Sequence, residues 1–198
     1  MIAIIDYGAG NLRSIQRALE AGGADVVITD DPDTVRAAQR VVLPGVGNAK
    51  AAMERLHAMG MADVVAETVA NGTPLLGVCL GMQLLFGAQE EGPTTGLGLL
   101  PGDARKLASD HKIPHMGWNT VHFMEGTPLR DESDTPFYFV HSYVVHPADE
   151  RDIAGVTHYG VPFPSVVIRD NVWGTQFHPE KSGGAGLRLL ARWLAWTP

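Results

Sequence analysis

The run Pro74-Leu75-Leu76-Gly77-Val78-Cys79-Leu80-Gly81-Met82-Gln83 decides the fold. Residues 74–78 are apolar on both faces, the pattern of a central parallel strand covered on both sides. Residues 80–86 then follow a helical period. A cysteine stands at the junction, with glycine two residues before it and two after. Glycines there permit a strained strand-to-helix turn with close packing around it, the geometry that raises a nucleophile above a sheet. The helix N-terminus beyond favours negative charge on the sulfur. A lone cysteine is ordinarily a small core residue. The strand, the flanking glycines and the following helix argue instead for a nucleophile.

Outward from this elbow the first half alternates strand and helix. Residues 2–6 read as a strand ending in a glycine turn, and Asn11 is placed to cap a helix carrying Leu12, Ile15, Ala18 and Leu19 on one face. Gly22 and Gly23 stop that helix, residues 24–29 form a second strand, and Asp31-Pro32 opens a short helix. Residues 41–43 form a third strand, followed by Pro44-Gly45-Val46-Gly47 and a helical stretch over 48–71, broken near Gly60. Beyond Gly87, short strands are expected at 105–107, 120–123, 136–140, 155–158, 166–169 and 172–177, with Asp170-Asn171 as a hairpin turn. A last amphipathic helix carries Leu187, Leu190, Ala191 and Leu194. The expected fold is α/β: one domain over residues 1–198, with a mostly parallel central sheet flanked by helices and an additional antiparallel strand region.

Composition narrows the function. The net charge of -7 comes without a Lys/Arg stripe, which excludes nucleic acid as an expected partner. The single cysteine precludes an internal disulfide and suits a reducing compartment. The chain opens on a strand pattern rather than a signal peptide, and no apolar run reaches the length of a membrane span. A cytoplasmic location with no membrane contact is expected.

A cysteine nucleophile needs a base. Among eight histidines, His178 differs because it lies in Phe177-His178-Pro179-Glu180. Pro179 disfavours helix at His178, and in extended chain residues i and i+2 point the same way. Glu180 is thus expected to hold Nδ1–H of His178 and leave Nε2 for Cys79. The developing oxyanion needs backbone N–H donors. The elbow supplies that of Leu80, and the turn at 44–47 supplies a second, assigned to Gly47. Both lie at the carboxyl edge of the parallel strands, where ligands bind in such sheets.

The segments at 77–83 and 178–180 resemble the paired signatures of the class I (triad) glutamine amidotransferases. Within that class, the stretches at 6–12, 43–47, 114–119, 139–143 and 176–182 are similar to the glutaminase subunits of imidazole glycerol phosphate synthase, with Pro-His-Met-Gly-Trp-Asn at 114–119 the most discriminating. The similarity spans nearly the whole chain, with no large appended domain. It implies a flavodoxin-like fold and hydrolysis of glutamine through a γ-glutamyl thioester on Cys79. It also implies delivery of ammonia to a (β/α)₈-barrel cyclase subunit in a heterodimer of histidine biosynthesis. By the same resemblance Gln83, Ser142 and Tyr143 bind glutamine, and Asn11, Trp118, Tyr138 and Lys181 face the partner. His115 and His141 take structural or pocket-lining roles. No cofactor and no metal are expected. The competing readings are the glutaminase of pyridoxal phosphate, anthranilate or carbamoyl phosphate synthesis, a stand-alone cysteine hydrolase, and a silent binding subunit. A nucleotide binder lacks its glycine fingerprint after the first strand.

Overall fold

The computed structural model describes residues 1–132 and 134–198. The first half runs β1 (Ile2–Ile5), α1 (Leu12–Ala21), β2 (Val26–Thr29), α2 (Pro32–Arg36), β3 (Arg40–Gly45), α3 (Ala49–Ala58), α4 (Met61–Ala70), β4 (Leu75–Cys79) and α5 (Leu80–Leu84). Strands dominate thereafter: β5 (Phe86–Gln89), β6 (Thr94–Thr95), β7 (Leu100–Lys106), β8 (His115–Phe123), β9 (Thr135–His141), β10 (Tyr143–Pro147), β11 (Ile153–Tyr159), β12 (Val161–Arg169) and β13 (Val172–Thr175). Helix α6 (Gly183–Ala195) follows a 3₁₀ turn at Pro179–Lys181.

The main sheet has the order β2-β1-β3-β4-β13-β12-β11-β8-β9, and a smaller sheet has the order β10-β7-β5-β6. The first five strands of the main sheet are parallel and the remaining pairs antiparallel. Side-chain alternation divides the buried residues between two cores. Ala3, Ile5, Val41 and Leu43 pack towards α3 and α4, whereas Ile2, Ile4, Val42 and Leu76 pack with residues of α1 and α6. Strand β13 lies in parallel register beside β4, with Thr175 opposite Val78. A long return through the antiparallel strands thereby sets the segment after Thr175 next to Cys79.

Several expected boundaries change. The helix expected over 80–86 ends at Leu84, because Phe86 enters the small sheet beside Leu100. The strand expected at 120–123 begins at His115, so the segment 115–119 is paired sheet. The strand expected at 172–177 ends at Thr175. Strands β5, β6 and β10 were not expected. Helix α6 is rotated: Ala185, Gly186, Leu189, Leu190 and Trp193 are buried, while Leu187 and Ala191 are exposed. A Cβ at Gly186 would stand 1.8 Å from Pro179 O, and this close approach selects the face that carries small residues. Asn11 precedes α1 but makes no side-chain cap bond, whereas Asp31 and Asn48 do cap their helices. The break at Gly60 and the turn at Asp170-Asn171 stand where the sequence puts them. No described helix is long and apolar enough to cross a membrane.

Three backbones meet behind the elbow. A Cβ on Gly81 would lie 1.8 Å from Leu43 O, and one on Gly77 would lie 2.9 Å from the Gly81 carbonyl. Gly81→Ala is therefore expected to cost more than ~3 kcal/mol in urea unfolding, through overpacking against backbone. Gly184→Ala, whose Cβ meets nothing closer than 3.5 Å, should stay within ~1 kcal/mol of the native chain.

Candidate active site

Cys79 ends β4 with φ 56° and ψ -110°, a left-handed backbone that only over-determined packing holds in a non-glycine residue. The side chain is 5% exposed and borders a cleft of about 340 Å³. Val46, Gly47, Leu80, Gln83, Ser142 and Tyr143 line the same cleft. The structure thus brings the expected nucleophile, both expected oxyanion residues and all three expected glutamine-binding residues to one opening.

His178 lies at the end of the segment leaving β13 and is 3% exposed. Its Nδ1 meets Glu180 Oε1 at 2.8 Å. Nε2 is buried and has no partner of hydrogen-bond geometry among the described residues. Burial is the largest influence on this ring and drives its pKa down. The Cys79 and Glu180 side chains together outweigh burial and leave it raised to about 9. The local chain is clamped from β9: Tyr138 O accepts from His178 N (2.9 Å), and Ser182 Oγ donates to His178 O (2.7 Å) while accepting from Tyr138 N (3.0 Å).

Other residues complete the walls. Tyr7 donates to Pro44 O at 2.9 Å, and burial pushes its phenol well up, so it stays a neutral donor fixed on the strand end before Gly45. A Cβ on Gly45 would strike that phenol at 2.5 Å. Gly47 has φ +100° and open space around its Cα. Glu91 lines the cleft, and its Oε2 accepts from Ala49 N (3.0 Å) at the start of α3; burial pushes its carboxyl up.

A histidine pair supports the wall at 142–143. Tyr143 O can only accept, so His141 Nδ1 donates to it (2.9 Å). His141 Nε2 must then accept from His115 Nδ1 (2.9 Å), and His115 Nε2 from Asn119 Nδ2 (3.2 Å). Every tautomer in this chain follows from one carbonyl, and both rings are neutral. Burial lowers His115 to about 4 and His141 to about 3.

The residues expected at a partner face divide into two places. Trp118 is 59% exposed and packs edge-on against Tyr138, with Lys181 Nζ 5.9 Å over the Tyr138 ring. Met116, 62% exposed, shares their side of β8, one pleat along. Asn11 is exposed and lines a separate depression with Asp6, Gly10 and Arg13. Among the described residues no His, Cys, Asp or Glu cluster could hold a metal.

Sequence reasoning gave no role to Tyr7, Glu91, Met116 or Gln176. Two of these carried a signal. Gln176 stands two residues before His178 in an extended run, and Met116 stands two before Trp118, so each shares a side with a residue already singled out. Glu91 reaches the cleft only through the β5–β6 hairpin, and Tyr7 reaches the Pro44 carbonyl only through the sheet order.

A strained cysteine elbow, a paired His-Glu and a cleft thus meet at one edge of the parallel sheet. The class-I glutamine amidotransferase family model matches residues 3–195. Imidazole glycerol phosphate synthase subunit HisH of Nitrosomonas europaea is 49% identical over 210 residues, covering 100% of this chain and 99% of that protein. The HisH subunit of Geobacillus thermodenitrificans is 46% identical over 202 residues, covering 98% and 95%. A solved glutamine amidotransferase structure aligns with TM-score 0.77 at 20% identity, over 96% of this chain and 99% of that one, which speaks to fold alone. The chain belongs to the class-I glutamine amidotransferases and, within them, to the HisH family of imidazole glycerol phosphate synthase subunits.

The histidines give opposite pH signatures. His178 is raised from 6.5 to about 9, so its contribution to stability is complete below about pH 6.5 and is lost as pH rises through about 9. His115 and His141 are lowered from 6.5 to about 4 and about 3, so the stability they contribute is present above 6.5 and declines as pH falls towards those values. Ring titration by NMR should find these three midpoints, and Glu180→Gln should move that of His178 down while leaving the other two in place.

Proposed function

We propose that residues 1–198 act as one glutamine amidotransferase domain that hydrolyses glutamine at Cys79 and passes the ammonia to a (β/α)₈-barrel cyclase subunit. The observation that carries this reading is the 2.8 Å His178–Glu180 pair beside a buried cysteine with φ 56°, at the mouth of a cleft of amino-acid size. Sγ attacks the side-chain amide carbon of glutamine. The oxyanion is met by backbone N–H groups at Leu80 and Gly47. His178 Nε2–H protonates the departing nitrogen, leaving a γ-glutamyl thioester and free ammonia. The ring then takes a proton from water, whose oxygen attacks the thioester and releases glutamate. Glu180 keeps the ring in one tautomer throughout.

Glutamine also carries an α-ammonium and an α-carboxylate. Glu91 suits the ammonium, being a carboxylate on the cleft wall with one oxygen held by Ala49 N. Ser142, Tyr143 and Gln83 complete the pocket in this reading.

Ammonia released into neutral water becomes ammonium, which is no nucleophile, so transfer requires a sheltered route. The exposed Met116, Trp118 and Lys181 around the half-buried Tyr138, with Asn11 in its separate depression, suit docking to the end of a barrel. There the ammonia enters imidazole glycerol phosphate, with an aminoimidazole carboxamide ribotide released, in histidine biosynthesis. A cytoplasmic location belongs to this reading. The turn at 45–47 is the proposed gate: Gly47 sits in open space and flips at low steric cost, so its N–H meets the oxyanion only when the loaded partner docks.

In the assembled enzyme, Cys79→Ala is expected to abolish synthesis from glutamine and to keep synthesis from added ammonium salt. Loss of both activities would make Cys79 structural and sink the assignment. Glu91→Gln should raise KM for glutamine about tenfold with little change in kcat, since it removes a charge met equally in ground and transition states. A fall in kcat at constant KM would place Glu91 outside the substrate contacts.

A further inference from the structure

Besides the triad, the Cys79 sulfur has two polar neighbours. Val140 O lies 3.8 Å from Sγ on one side, and Gln176 Nε2 lies 3.8 Å from it on another, both within hydrogen-bond range for sulfur. Gln176 is 0% exposed and Gln83 5% exposed, so the polarity of this network is decided by its members and not by solvent.

The orientation of the Gln176 amide follows from a backbone carbonyl. Tyr143 O accepts only, so Gln83 presents its amino group there, with Nε2 donating at 3.0 Å. The second hydrogen of the same Nε2 goes to Gln176 Oε1 at 3.2 Å. Gln176 must therefore turn its oxygen to Gln83 and its amino group to the sulfur. The reversed amide would set amino group against amino group in the buried interior. A relay of fixed direction runs from the cleft wall at Tyr143, through Gln83 and Gln176, to Sγ.

We infer that Gln176 is a further catalytic residue, whose Nε2–H is reserved for the Cys79 thiolate and holds it in the attacking position. Val140 O suits the other state, because a carbonyl accepts from S–H and repels a bare thiolate. Ionisation exchanges one partner for the other: the proton leaves towards His178, and the sulfur turns from the Val140 carbonyl to the Gln176 amide. The amide does not titrate, so it supplies a donor without competing for the proton. A hydrogen bond to a charged sulfur exceeds one to a neutral thiol. The contact therefore raises the thiolate fraction at a given pH and sets its direction; it weakens once the thioester has consumed the charge. This inference rests on Cys79 as the nucleophile.

The groups around the sulfur bear on any titration. His178, beyond β13, and Tyr7, beyond β1, both act on Cys79 electrostatically. His141 and Glu91 stand on the cleft walls. Tyr7 and His141 are neutral through the working range, which leaves the His178 ring with its Glu180 partner and the Glu91 carboxylate as the other charges.

Cys79 is the only cysteine in the chain, so iodoacetamide alkylation reports this sulfur alone. The rate is followed against pH for the native protein, Gln176→Met and Gln176→Glu, each checked for folding by circular dichroism. Gln176→Glu keeps an oxygen for Gln83 but removes the amide donor and adds an acidic group that, when ionised, also repels the thiolate; Gln176→Met removes both contacts at similar size without adding charge, and so isolates the loss of the donor. The pH at which the rate half-rises is expected to move up by about one unit in Gln176→Met, a tenfold loss of thiolate on the acid limb, and further in Gln176→Glu. In the native protein, one glutamine side-chain amide proton should shift downfield in NMR as Cys79 ionises, and the shift should vanish on alkylation. An unmoved half-rise in either folded variant, or no responsive amide proton in the native chain, overturns the assignment. Neither readout uses free glutamine as substrate, so the inference can fail while glutaminase activity persists, and the reverse.

Discussion

The structure depends on one close approach, the contact of the β4–α5 elbow with the end of β3. Backbone of residue 81 lies against the Leu43 carbonyl at a distance only glycine allows, and Gly45 leaves room for both the Tyr7 phenol and Leu80. That contact forces Cys79 into a left-handed conformation and holds it there, at a cost of about 1–3 kcal/mol that the surrounding packing offsets. It also fixes the spacing between the sulfur and the turn at 45–47. The sulfur and the turn at 45–47 are set by one constraint, because β3 and β4 are neighbouring parallel strands in register, Gly45 opposite Cys79.

Strand β9 ties the rest of the site to this elbow. Val140 O contacts the sulfur, Tyr138 O holds the His178 backbone, and Ser182 bridges the two segments. The Tyr138 side chain points the other way, towards Trp118 and Lys181 on the exposed surface. A load placed on that surface therefore acts on a strand that touches Cys79 and His178 alike. This gives a physical route from the exposed surface to Cys79 and His178 without requiring a large movement of either.

The parallel half of the fold was legible because its signals are local. Glycines 77 and 81, the double-sided apolar strand and the Asp31-Pro32 helix start each act within a few residues. The His178–Glu180 pair was legible for the same reason, the proline between them dictating the chain. The antiparallel half was less so. Strands β5 and β6 are very short, and β10 pairs with β7, far along the sequence. The face of α6 was misread because its apolar residues allow two stripes, and only the approach of Gly186 to Pro179 chooses between them. Tyr7 and Glu91 escaped because their placement exists only once β1 and the β5–β6 hairpin come to one edge, whereas Gln176 was signalled by its spacing from His178 and overlooked.

The central claim is that this strained cysteine hydrolyses glutamine under control of a docked partner. The direct test is glutamate release from glutamine by the purified chain, alone and then with a cyclase subunit and its ribonucleotide substrate. The account predicts slow release by the chain alone and large stimulation by the loaded partner. Rapid release that ignores the partner would contradict the gated turn, and no release under any condition would contradict the triad itself.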